Sequence, residues 1–224
     1  MKSIIEPLPI GKILGSVAQY SVAYCTAVGQ ISADLLLCVA ATQLLMHYDY
    51  IAHCIETYRI KSKMVTNGVK HDMEFLRNII IYHEKLLSLS DMLNDVFGVP
   101  LLVNFMSSAC LMCFLGFQLT TGVSTEILLK LLLFLFSSSA QAYLICYFGQ
   151  KLLEASAGIS NAVYIHNWFE ADLKYKKMLV QMARRAQRPA VLKATVLINI
   201  SNVTMTDLLQ ISYKFFALLR TMYN

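Results

Sequence analysis

Polar residues recur through the last apolar stretch of the chain, residues 194–223, among them Asn199, Ser201, Asn202, Thr204, Thr206, Asp207, Gln210, Ser212 and Lys214. On a helix turning about 100° per residue, Asn199, Asn202, Thr206, Gln210 and Tyr213 share one stripe. Val203 and Ala217 lie on that stripe, and Asp207 and Lys214 lie at its edge. Val196, Ile200, Leu208, Ile211 and Phe215 occupy other faces. The stretch exceeds the roughly 20 residues that a bilayer crossing needs. A crossing helix with a continuous polar stripe must turn it toward other helices or toward water. Two chemistries suit the stripe. Its amides and hydroxyls line a conducting path, or they hydrogen-bond neighbouring helices, and the first is the working expectation here.

Other reactive-looking groups resolve into structural roles. Neither a His-Glu-x-x-His zinc pattern, a phosphate-binding glycine loop, a nucleophile elbow nor a paired-carboxylate pattern is present, so the sequence predicts no enzyme, no metal and no cofactor. His47, Asp49 and His53 stand at helical offsets that do not converge on one ion, and they read as interface residues. Cys110 and Cys113 lie amid Leu, Met and Phe, where thiols pack as small hydrophobes. The triplets at Asn199 and Asn202 match the glycosylation pattern but fall inside the last span, which discounts them. Asp34 is the single charge of the first apolar segment and reads as a structural carboxyl facing neighbouring helices, with a functional role as the alternative.

The elements that must hold these groups follow from composition. At 57 % hydrophobic and 15 % charged residues, with mean hydropathy +0.54, the chain is a membrane protein. Soluble domains carry about 25 % charged residues. A net charge of +5 raises nucleic acid as a partner, but the placement of the cations excludes it. Arg59, Lys61, Lys63, Lys70, Arg77 and Lys85 form one basic region; Lys151, Lys174, Lys176, Lys177, Arg184, Arg185, Arg188 and Lys193 form the other. Two basic loops on one side are the signature of cytoplasmic segments.

The expected architecture is all-α, a polytopic helical bundle with four crossings in a single membrane domain, 1–224. After a polar lead containing Pro7 and Pro9, a first span covers 13–46. A cytoplasmic extension and pre-span helix cover 47–97, where Phe75, Leu76, Ile79, His83, Leu86, Leu87, Leu93 and Val96 recur at helical spacing. Asp72, Glu74, Arg77, Asn78 and Glu84 are expected on its wetted face. A second span covers 98–119, an outside turn 120–126, and a third span 127–150. The cytoplasmic region 151–193 includes a helix through Leu173, Met178, Leu179 and Met182 that Pro189 ends. The last span, 194–223, is read as one helix with its C-terminus outside.

Particular residues within these elements carry a family likeness. His83, Tyr164, Trp168, the run Gln187-Arg188-Pro189, and the closing stretch from Ile211 through Ser212, Tyr213, Phe215, Phe216, Leu218 and Leu219 to Arg220 resemble the C-terminal half of insect odorant receptors. The likeness runs over essentially the whole chain, from the fourth to the seventh helix of that family. Lys214 departs from the Ser that many members carry. The resemblance implies a subunit of a heteromeric odorant-gated cation channel in the plasma membrane of olfactory sensory neurons. Its partners would be a shared co-receptor, forming a heterotetramer, the lipid bilayer, and a small volatile hydrophobic ligand. It also implies that the last helix surrounds the pore and that cytoplasmic extensions anchor the subunits, with Trp168, Gln187 and Pro189 in that anchor.

On this reading Asn199, Asn202, Thr206 and Gln210 line the pore, Val203 forms a hydrophobic constriction, and Asp207 biases permeation toward cations. An odorant would lie among Tyr20, Tyr24, Phe136 and Tyr143, with core packing as the other account of those aromatics. A full family member is nearly twice this long, so the chain is expected to be a truncated product, a partial gene model or a degenerate receptor. Competing readings are a gustatory-type receptor, a transporter fragment and a non-conducting membrane interaction module.

Overall fold

The computed structural model describes residues 9–61, 67–120, 124–195 and 198–223. Pro7, Lys63, the centre of the 120–126 turn and Val196 lie outside the described residues. Five α-helices run in order: α1 Pro9–Thr57, α2 Gly68–Thr120, α3 Thr125–Ile165, α4 Leu173–Ala186 and α5 Asn202–Tyr223. A two-stranded antiparallel hairpin, β1 Lys193–Ala194 and β2 Ile198–Asn199, precedes α5. At about 1.5 Å per residue, α1, α2 and α3 extend roughly 60–80 Å. The hydrocarbon core is only about 30 Å thick, so each projects well beyond it. These three helices are long and apolar enough to cross a membrane. The fourth expected crossing, α5, has 22 residues and carries the polar stripe.

The chain divides into two compact units, Met1–Val39 and Ala40–Asn224. In the first, every described side chain from Ile13 to Ala33 is exposed and Asp34 is half-buried. Such an apolar helix face requires lipid or further helices around it.

The second unit is built around buried stripes at helical spacing. Tyr48, Ile51 and Ile55 of α1 bury with Leu76, Ile79, His83, Leu86 and Leu87 of α2. Ile145, Leu152, Ile159 and Ala162 of α3 and Tyr175, Leu179 and Met182 of α4 complete that core. The face expected on residues 72–97 therefore forms, except that Val96 is exposed and Phe75 only half-buried.

The pre-span helix expected to end at Phe97 and the span expected from Gly98 are one continuous helix; α2 passes through Gly98 and Pro100. A proline costs the helix one N–H donor. Leu93, Leu101 and Phe105, on one face either side of it, are all buried and hold the two halves together. Likewise α3 does not stop near the membrane boundary at Gln150 but continues to Ile165. Its residues Leu152, Ser156 and Ile159 extend the same buried stripe.

Candidate pore-side helix and its mounting

The helix expected to start near residue 194 starts at Asn202 instead. Residues 190–195 and 198–200 are tied to the bundle and to each other by a series of backbone anchors. The Ala190 N–H donates to Ser156 Oγ at 2.7 Å, and the Ile200 N–H donates to the Leu192 carbonyl at 2.8 Å. The Asn94 carboxamide of α2 grips one edge of the strand at two residues: its Nδ2 donates to the Val191 carbonyl at 2.9 Å, and its Oδ1 accepts from the Lys193 N–H at 2.8 Å. Thr195 turns the chain with φ 64°, a left-handed conformation rare for a β-branched residue.

Two glycines give the hairpin room. A Cβ on Gly98 would sit 3.2 Å from the Thr195 nitrogen, and a Cβ on Gly149 would sit 2.6 Å from the Ile200 carbonyl oxygen. The β-branched run Val191, Thr195, Ile198, Ile200 favours extended backbone, and docking on α2 and α3 fixes it there. Asn199 thus belongs to β2, paired with Lys193, and is not on the helical stripe. Its carbonyl accepts from Thr204 Oγ1, and Thr204 Oγ1 in turn accepts from the Ser201 N–H at 3.2 Å, which closes the first turn of α5.

From Asn202 onward the stripe is present. Asn202, Thr206, Asp207, Gln210, Tyr213 and Lys214 are all exposed, and Val203 is 66 % exposed. The far side of the helix is covered: Leu208 and Ser212 are each 7 % exposed, and Ser212 Oγ donates back to the Leu208 carbonyl at 2.8 Å. Gly116 of α2 receives Phe216, whose ring would lie 3.3 Å from a Cβ there. Thr206 Oγ1 donates to the Asn202 carbonyl at 3.3 Å. Among the described residues, the carboxamides of Asn202 and Gln210 make no hydrogen bond. Among the described residues, no hydrogen bond from the stripe reaches another helix. Ile211, Phe215 and Leu218 form an adjacent exposed apolar strip suited to lipid.

The four aromatics considered for an odorant are exposed. Tyr20 and Tyr24 share a face of α1 at 76 % and 72 %, and Phe136 and Tyr143 share a face of α3 at 75 % and 55 %. Trp168 and Gln187 line a half-open groove of about 270 Å³ with Tyr164, Lys176 and Val180, and Pro189 sits half-buried beyond it.

Sequence reasoning missed a buried polar cluster at the far end of the second unit. Asp72, expected on a wetted face, is 2 % exposed. Its carboxylate accepts from Tyr58 Oη at 2.7 Å and from the Lys61 N–H at 3.0 and 3.1 Å, fastening the chain that leaves α1 to the N-terminal part of α2. Tyr58 stacks on Phe75 with ring centroids 3.7 Å apart. Burial and the neighbouring Asp72 carboxylate push the hydroxyls of Tyr58 and Tyr175 above the usual tyrosine range. Tyr175 Oη and His166 Nε2 are 2.9 Å apart. Burial lowers the His166 pKa, opposed by the Ile55 carbonyl and the Asp72 charge, although no hydrogen bond to Nδ1 forms among the described residues.

A second group joins Tyr48 Oη to Ser90 Oγ at 3.0 Å, with the His83 ring edge-on to Tyr48 at 6.3 Å. Burial, helped by the Arg185 charge, lowers the His83 pKa to about 4. His47 Nδ1 lies 2.7 Å from Tyr82 Oη.

Long apolar helices and one polar-faced helix packed on them define a multi-pass helical membrane protein. Residues 13–213 match the sequence profile of the family described as 7tm Odorant receptor. The chain belongs to that family, whose members are receptors rather than enzymes. It is 52 % identical over 201 residues to odorant receptor 85b of Drosophila melanogaster, covering 90 % of this chain and 50 % of that protein. It is 50 % identical over 200 residues to odorant receptor 85c of the same species, covering 89 % and 50 % respectively. The fold is similar to that of the olfactory receptor OR5 of Machilis hrabei, solved in complex with eugenol. That likeness has a TM-score of 0.81 at 16 % identity, over 99 % of this chain and 55 % of that one. The chain spans about half the length of the curated relatives it matches.

Proposed function

We propose that this chain forms the pore-side and anchor half of an odorant receptor subunit in an odorant-gated cation channel, assembled with a shared co-receptor in the plasma membrane of olfactory sensory neurons. The observation that carries the reading is the uncovered polar face of α5, opposite the Leu208 and Ser212 face that packs on the bundle. An amide-and-hydroxyl stripe left open by its own chain suits water and ions at an assembly axis. In this proposal Asn202, Thr206 and Gln210 partly replace an ion's hydration, and Val203 narrows the path. Asn199 stands below them on the hairpin, toward the cytoplasmic mouth. The basic segments at 59–85 and 151–193 lie in the cytoplasm, and the C-terminus lies outside.

Trp168, Gln187 and Pro189 belong to the subunit anchor; Tyr20 and Tyr24 within the first unit, and Phe136 and Tyr143 within the second, are each the exposed aromatics offered to the odorant, a small apolar volatile. An odorant opens such a channel only by binding the open state better than the closed one. Co-expression with the co-receptor is expected to give an odorant-evoked cation current absent from co-receptor alone. Surface delivery of both chains without any such current would leave the chain a non-conducting interaction module.

A further inference from the structure

We propose that Lys214 sets the ionic selectivity of the path along α5, holding divalent cations back relative to monovalent ones. The inference deepens the pore reading of α5 and rests on it. Angular position carries the first step. The face of α5 that packs on the bundle is centred on Leu208 and Ser212. On a helix turning about 100° per residue, the direction opposite that face runs through Gln210. Lys214 lies about 40° from that direction, as Thr206 does, whereas Asn202 lies about 80° from it. Lys214 thus faces away from its own bundle more squarely than Asn202. Its side chain is exposed, as are those of Thr206, Asp207 and Gln210.

Depth carries the second step. At about 1.5 Å per residue, Lys214 stands roughly 18 Å from Asn202 and roughly 14 Å from Tyr223, the two ends of the helix. Both distances exceed the reach of its four-carbon stem, so the ammonium stays within a hydrocarbon core about 30 Å thick. Among the described residues no carboxylate pairs with it; Asp207, seven residues earlier, lies about 10 Å away along the axis. A charge at that depth without a partner must face water. The neighbouring exposed strip, Ile211 and Phe215, is apolar, which leaves the polar stripe as the wetted side. A cation entering from outside meets the Lys214 ammonium before the Asp207 carboxylate. Repulsion scales with the charge of the ion, so the ammonium opposes a divalent cation twice as strongly as a monovalent one. At about 5 Å in water, one such charge favours monovalent over divalent cations about fourfold.

The test co-expresses the full chain with the co-receptor and evokes current with a mixture of eugenol, aliphatic ketones, esters and alcohols. The reversal potential with calcium outside and sodium inside gives the permeability ratio PCa/PNa. Lys214→Gln should raise that ratio about fourfold and Lys214→Glu about fifteenfold, whereas Lys214→Arg should hold it within about 1.5-fold. Lys130→Gln removes a like charge from the start of α3, off the stripe, and should also hold it within about 1.5-fold. A ratio indifferent to the charge at position 214, or one that shifts equally in Lys130→Gln, overturns the assignment. Lys214→Cys gives the same comparison within one folded channel. Aminoethyl methanethiosulfonate puts a positive charge there and should lower PCa/PNa; sulfonatoethyl methanethiosulfonate puts a negative one there and should raise it. The same reagents on the wild-type channel set the baseline, because Cys25 and Cys110 are exposed. A ratio unmoved by either reagent, while cysteines at 206 and 210 are blocked, overturns the role of Lys214 alone. Absence of block at 202, 206 and 210 overturns the pore reading as well.

Discussion

Replacing Gly149 by alanine should displace the mounting of α5, and its cost can be worked from the structure. The new Cβ would stand 2.6 Å from the Ile200 carbonyl oxygen and 3.0 Å from Ile200 Cγ2. The first of these neighbours is backbone, held by the Ile200–Leu192 hydrogen bond, so no side-chain rotation relieves it. Over-packing of this kind costs about 1–3 kcal/mol. Alanine regains up to about 1 kcal/mol of helix propensity over glycine. The expected net loss is about 0–2 kcal/mol. Gly158, nine residues further along α3, has open space where a Cβ would go, so Gly158→Ala should stabilise by about 0.5–1 kcal/mol. Thermal unfolding of the detergent-solubilised chain, followed by Trp168 fluorescence, should therefore move in opposite directions for the two variants. If Gly149→Ala is as stable as Gly158→Ala, the close docking of the hairpin on α3 is wrong.

Other outcomes follow from the same geometry. Asn94→Ala removes both grips on the strand and should cost about 1–3 kcal/mol, read as faster amide exchange at Lys193 with little change at Tyr175. Asp72→Asn weakens the acceptor for Tyr58 Oη and the Lys61 N–H and should destabilise by about 1–3 kcal/mol; Tyr58→Phe should recover part of that difference in a double-mutant cycle. His83 is held neutral, with its folded pKa about 4, below the unfolded value near 6.5. The unfolded chain then binds the extra proton first, so stability is complete above about pH 6.5 and falls as pH drops toward 4. His83→Gln should flatten that part of the pH–stability curve.

Much of the bundle was legible because burial repeats with the helical period. Leu76, Ile79, His83, Leu86 and Leu87 of α2 and Leu179 and Met182 of α4 lie where periodicity puts them. Continuity was not legible. Gly98 and Pro100 look like a helix boundary until Leu93, Leu101 and Phe105 are seen packing on both sides. The opposite error occurred at residues 194, 195 and 198–201, where a helical wheel absorbed positions whose conformation is set by Asn94, Gly98 and Gly149, residues some 45 to 105 positions away in the sequence. Asp72 was placed on a wet face because carboxylates are mostly exposed. Its partners are the Lys61 backbone and the Tyr58 hydroxyl, which no local pattern announces. The stripe Asn202, Thr206, Gln210 survived because it needs only the local turn of α5.

Cysteine replacement along α5 in a co-expressed channel probes that stripe most directly. Thiol reagents should block current at positions 202, 206 and 210 and leave positions 208 and 212, on the packed side, unaffected. Block at every position alike, or at none, would contradict an ion path along this face.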